Sequence, residues 1–274
     1  MELSEEDFRT LERAHQILEN PGLAAKLSHL IGAPIEAGVR TLPDAVLTLI
    51  VRLTRYSVRR GLAGIIATMD LEPGKPAAPG MYRFASSVSG AAGGFFGLAA
   101  LPVELPVSTL LIMRSIAEIA RSEGEDLRRP ESQLACLEVL ALGGRAKDDD
   151  AAEVGYYASR IGLAQTISSA SHYIAQHGLG RRVATPLAKL IARIATRFSI
   201  RITESMVAKA IPVVGAASGA TINALFMLHF QDMAWAHFNV RRLERKYRPD
   251  LIRRHYEHLG AYNPFEVDPP RLSP

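Results

Sequence analysis

An all-α fold is predicted by three features of the 274-residue sequence. Apolar residues recur at helical spacing along most of it, prolines and glycines punctuate the runs, and no segment alternates apolar with polar residues as a strand would. With 48% hydrophobic and 22% charged residues, the chain has enough apolar surface for a sizeable core and too much for disorder. The expected architecture is a single helical unit over residues 1–274, an irregular multi-helix bundle with an N-terminal helix within residues 1–20 and an irregular tail over 261–274.

The elements follow in order. Ser4 ahead of Glu5, Glu6 and Asp7 reads as an N-cap with acids in the first turn, where the helix dipole favours them. Phe8, Leu11, His15 and Leu18 then keep helical spacing until Asn20-Pro21-Gly22. Pro43-Asp44 opens a longer helix, with Val46, Leu47, Leu49, Ile50 and Leu53 inward and Arg52, Arg55 and Arg59 outward. Residues Leu71–Gly80 form a loop by their prolines and glycines. Pro130 and Gly143-Gly144 bracket a helix carrying Leu134, Leu137 and Leu140, with proline first and glycine last. Asp148-Asp149-Asp150 reads as a solvated turn and Gly178–Arg182 as a break. The last long helix runs to about Tyr247, ahead of Pro249.

Two segments carry almost no charge: Phe84–Met113, in which Glu104 is the only charged residue, and Ala210–Gln231. Each has about the length that crosses a bilayer. The spacings Gly90/Gly94, Gly93/Gly97 and Gly215/Gly219 let helices approach closely. Gly, Ala and Ser dilute their hydrophobicity, and Pro102, Pro106 and Pro212 interrupt them. Two readings follow, a central glycine-rich layer of the bundle or a membrane-contacting hairpin. Arg241, Arg242, Arg245 and Lys246, directly after the second segment, suit the cytoplasmic side of a membrane-contacting helix or a solvated helix face.

The run SGAAGGFFGLAALPVELPVSTLLIMRSIAEIARSEGEDL (Ser89–Leu127) resembles a hallmark of the EcsC protein family, as does KAIPVVGAASGATINALFMLHFQDMAWAHFNVRRLERKY (Lys209–Tyr247). LPDAV near Leu42 and CLEVLALGG from Cys136 also fit, so the resemblance spans about Pro21 to Tyr247. It implies a bacterial, helical, cytoplasmic or membrane-associated protein, from a family named for an operon that also encodes an ABC transporter and with no established reaction. Where the family usually places Asp before the Leu-Pro pair, this chain has Glu104.

Candidate chemistry is sparse. Glu104 lies between two prolines; a buried carboxylate there needs a partner, and it serves either as a proton, cation or headgroup contact or as an acceptor for free amides of a helix starting near Val107. Arg114 and Glu118, at i and i+4, start a ladder that Arg121 and Glu125 continue. Asn223 reads as an interhelical hydrogen bond. His229, Asp232 and His237 share a broad face, but the histidines are two turns apart, about 12 Å, too far for one ion; no metal or cofactor is expected. There is no GxSxG elbow, phosphate loop or dinucleotide fingerprint, and Cys136 reads as a small core residue. A net charge of +4 without an aromatic stacking platform makes nucleic acid an unsuitable partner. MELSEEDF lacks the basic-then-apolar order of a secretory signal, and a single cysteine points to a reducing compartment.

The resulting expectation is a non-enzymatic accessory protein, cytoplasmic and peripheral to the inner face of the cell membrane. Its partner would be an anionic lipid surface or a membrane protein such as an ABC transporter. The alternatives are a hydrolase of unrecognised type around Glu104, Arg114 and His229, or a soluble carrier of an apolar small molecule.

Overall fold

The computed structural model describes residues 3–19, 22–31, 38–69, 71–96, 100–142, 155–177, 185–210 and 215–261. The readings at Asn20-Pro21, Gly143-Gly144, Asp148–Asp150, Gly178–Arg182 and in the tail after Ala261 lie outside them. The helices are α1 (Glu5–Glu19), α2 (Leu23–Ile31), α3 (Asp44–Thr68), α4 (Pro79–Phe96), α5 (Leu101–Ser122), α6 (Pro130–Ala141), α7 (Tyr156–His177), α8 (Thr185–Ala210), α9 (Gly215–Tyr247) and α10 (Pro249–Ala261). No strand occurs among the described residues, and the expected all-α bundle is what forms.

Helix α1 starts as its sequence dictates. The Ser4 hydroxyl accepts the Asp7 amide at 3.2 Å and donates to the Asp7 carboxylate at 2.8 Å. Helix α5 starts earlier than expected, at Leu101 rather than near Val107. Pro102 sits in its first turn, where an amide has no intrahelical acceptor, whereas Pro106 lies inside the helix and leaves the Pro102 carbonyl without its i+4 amide donor. The boundary after α9 also has a local cause. Arg248 adopts a φ of 92° and Pro249 opens α10, a helix beyond the end expected at Tyr247.

Helix α9 is the axis, about 50 Å long at 33 residues. Its most extensive contact is with α4, and α1, α5, α6, α8 and α10 also pack on it. The two uncharged segments therefore do meet: α4 and the start of α5 come from the first, the N-terminal half of α9 from the second. Below them Phe198 of α8 packs against Phe226 and Phe230, with ring centroids 6.1 and 5.1 Å away.

The α4–α9 crossing is close because Gly90 has no side chain. A Cβ there would lie 2.5 Å from Asn223 Nδ2 and press on the Gly219 carbonyl oxygen. Gly64 on the exposed side of α3 is the opposite case, with nothing within 4 Å of an added Cβ. Chemical denaturation should separate the two. Gly90→Ala is expected to cost about 1–3 kcal/mol through overpacking, whereas Gly64→Ala should stabilise by about 0.5–1 kcal/mol through helix propensity.

Candidate functional site

Polar side chains are threaded along the α4–α5–α9 interface. Asn223 donates from Nδ2 to the Ser86 carbonyl and to Glu104 Oε1, both at 3.2 Å, while the Ser86 hydroxyl donates to the Asn223 carbonyl. Glu104, buried at 8% exposure, is thus held across helices rather than only by its own helix start. A cavity of about 30 Å³ adjoins it, bordered by Ser108, Ser205 and Phe226. Two turns further along α9, Gln231 donates to the Pro79 carbonyl and the Ser115 hydroxyl and accepts from Arg83.

Arg114 and Glu118 meet through a third residue. Tyr82 donates to Glu118 Oε1 at 2.5 Å and accepts from Arg114 Nε at 3.2 Å; Arg114 also donates to Thr68. Burial and the neighbouring carboxylate push the Tyr82 hydroxyl up to about 12. The expected continuation through Arg121 and Glu125 does not form. Helix α5 ends at Ser122, Gly124 turns at a φ of 83°, and Glu125 is delivered to α9 instead.

There Glu125 becomes the counter-ion of the basic cluster. It accepts from Arg241 at 2.8 and 3.2 Å, from Arg245, and from Ser132 at 2.6 Å. Burial alone would raise its pKa; the Arg241 hydrogen bond and charge outweigh that and hold it down at about 2. Arg242 Nε lies 3.2 Å from Glu123, and Lys246 and Tyr247 both donate to Asp7, at 2.6 and 2.7 Å. The four basic residues expected to face a membrane are therefore engaged in ion pairs within the protein.

The histidine face divides three ways. His229 is buried toward Arg201 and Lys26, and burial followed by those charges brings it down to about 3. Asp232 is half-buried, its pKa raised by burial against the opposing charges of Lys26, Arg83 and Arg13. His237, fully buried, accepts or donates at Nδ1 with Tyr156 at 2.9 Å. Glu104, Arg114 and His229 do not converge, since Glu104 and Arg114 are ten residues, about 15 Å, apart on one helix. Among the described residues no three His, Cys, Asp or Glu side chains are placed to hold a metal ion.

Beside His237 opens a cleft of about 500 Å³ between α6, α7 and α9. Glu138 of α6 lines it at 5% exposure, with His237 Nε2 3.8 Å from its Oε2. Burial pushes the Glu138 carboxyl up to about 7, against the favourable charges of Arg160 and Arg241. The same burial, with those two arginines, holds His237 well below its usual range. Arg160 forms a bidentate pair with Glu244 at 2.7 and 3.1 Å. Sequence reasoning passed over this site. Its signal was Glu138 itself, the one acid in the CLEVLALGG run, on a helix buried on every side from Ser132 to Ala141.

The EcsC protein family model matches residues 65–243. The chain belongs to the EcsC family. No curated protein and no solved structure matches it. The match takes in the Gly90 crossing, the polar thread and the cleft, and leaves out LPDAV, α1, α2 and α10.

Two stability measurements test the charges of this EcsC protein. Glu125→Gln strands a largely buried Arg241, and urea denaturation should show a loss of about 3–5 kcal/mol. Glu138 behaves in the opposite sense. Its folded pKa is raised, so the folded state binds more protons than the unfolded one and stability falls as pH rises from the ordinary carboxylate range through about 7. Glu138→Gln should therefore match the parent at pH 4 and exceed it by up to about 3 kcal/mol at pH 8, read from paired melting curves.

Proposed function

We propose that this EcsC family member is a non-enzymatic accessory protein that docks on an anionic membrane surface through the outer face of the α4–α5 hairpin. The observation that carries this reading is an apolar face left open to solvent on both helices. Met81, Phe84 and Val88 of α4 are 58, 73 and 55% exposed, and Val103, Val107 and Leu110 of α5 are 70, 42 and 40% exposed. Both triplets fall at helical spacing, so each forms a stripe along one side. Large exposed apolar faces mark contact surfaces in folded proteins.

The flanking helix supplies charge. Leu110 packs toward Gly61 of α3, and α3 carries Arg52, Arg55, Arg59 and Arg60, all exposed, with Asp44 as its only acid. Exposed Tyr56 lies under Arg60, 5.6 Å from ring centroid to guanidinium. An apolar face edged by arginines and an aromatic ring is the composition that seats a protein in the headgroup layer. The arginines that serve this role are those of α3, because Arg241, Arg242, Arg245 and Lys246 are spent on internal acids. No helix among the described residues is long and apolar enough to cross a membrane, which fits a helix pair that lies on the surface.

Cosedimentation with phosphatidylglycerol-containing vesicles, against pure phosphatidylcholine, tests the reading. Binding should require the anionic lipid and weaken with salt. The double variant Phe84→Glu/Val88→Glu should reduce it about tenfold or more without lowering the melting temperature, since both side chains are exposed. Equal binding to both vesicles, or full binding by the double variant, would overturn it; a salt-independent dimer lost in the same variant would make the face a protein interface.

A further inference from the structure

We infer that the cleft between α6, α7 and α9 is a binding site for a small organic amine, taken up as its ammonium form with Glu138 as counter-ion. The cavity, at about 500 Å³, is in the range of small-molecule sites. What selects the ligand is the bonding state of each carboxylate around it. Glu244 is held by Arg160. Glu125 is held by Arg241, Arg245 and Ser132. Glu131 accepts from Ser171 at 2.7 Å and lies 3.8 Å from Arg129. Glu138 alone receives no hydrogen bond from the described residues, although it is buried and lines the cavity.

A buried carboxylate without a donor is costly, and a ligand that supplies an N–H donor and a positive charge removes that cost. An anion would gain little here. Arg160 and Arg241 are the cationic groups on the cavity wall, and each is already clasped through two nitrogens by its own carboxylate. His237 is neutral by burial and His172 is engaged with Gln176. A bare metal ion would lack protein ligands, given that no three acidic, histidine or cysteine side chains gather anywhere among the described residues. Ala135, Ala164, Ile167 and Ala175 on the walls suit a short apolar stem behind the amine.

Binding is coupled to protons. The groups around Glu138 are Glu131 from its own helix, Arg160 and His172 from α7 and Arg241 from α9 on the cavity wall, with Tyr156, His237 and Glu244 close by. Burial pushes the Glu138 carboxyl up to about 7, so its charge changes near neutrality. An ammonium ligand needs it ionised, so complex formation below pH 7 releases a proton and the affinity falls about tenfold per pH unit there, levelling off above.

The inference is independent of membrane docking and can be tested on the full chain by titration calorimetry with n-butylamine, 1,4-diaminobutane, 1-butanol and butyrate. Saturable binding of at least one amine at millimolar concentration or better is expected, with the alcohol and the carboxylate silent and with the stated pH dependence. Glu138→Gln, which keeps the shape and removes the charge, should lower amine affinity about tenfold or more. Ala164→Leu should block the cavity while leaving Glu138 in place. Retention of amine affinity in Glu138→Gln, equal binding of 1-butanol or butyrate, or no saturable heat from either amine with the folded parent protein would overturn the assignment. Vesicle binding by both variants should equal the parent's.

Discussion

The bundle rests on how closely α4 and α9 can approach. At Gly90 and Gly219 the backbones come near enough for Asn223 to bond both the Ser86 carbonyl and Glu104. That contact aligns α4, α5 and α9 in one step, because Asn223 reaches two helices from a third. An alanine at Gly90 would separate the pair, and the hydrogen bonds from Asn223 would be the first to lengthen. The polar thread is thus a product of the missing side chain. Glu104 reaches Asn223 from α5, the third helix at the crossing.

How much of this was legible in the sequence depends on the length scale of the signal. Helix starts were legible, since Ser4 and Pro130 act within one turn. The meeting of the two glycine-rich segments was legible too, because uncharged runs with small residues at helical spacing have few other ways to bury themselves. Registers between helices were not. The i, i+4 pattern from Arg114 to Glu125 predicted a ladder, yet a single glycine turn after Ser122 sent Glu125 to Arg241, 116 positions away. Pairing of the basic run with Asp7, Glu123 and Glu125 was hidden for the same reason. Glu138 was hidden differently: a lone acid in an apolar helix looks like a solvated edge until every face of that helix proves to be buried.

The interior divides its charges into two kinds. Glu125 is compensated by several donors and its pKa sits far below neutrality, so it acts as a permanent anchor for the start of α6 and the end of α9. Glu138 and His237 are uncompensated, and each is driven toward its neutral form by burial. They sit close to the paired arginines Arg160 and Arg241 without being held by them. This separation leaves one part of the core electrostatically fixed and an adjacent part responsive to whatever enters the cleft.

The bond between Tyr247 and Asp7 joins residues 240 positions apart, and it constrains the order of assembly during synthesis. Helix α1 buries Leu11, Ala14 and Leu18 mainly against α9 and α10, which leave the ribosome last. At translation rates of about 5–20 residues per second, the first helix waits on the order of 10–50 s with its apolar stripe uncovered. The acidic first turn that caps α1 also keeps that waiting segment charged and soluble, so one cluster of side chains serves the nascent chain before it serves the finished bundle.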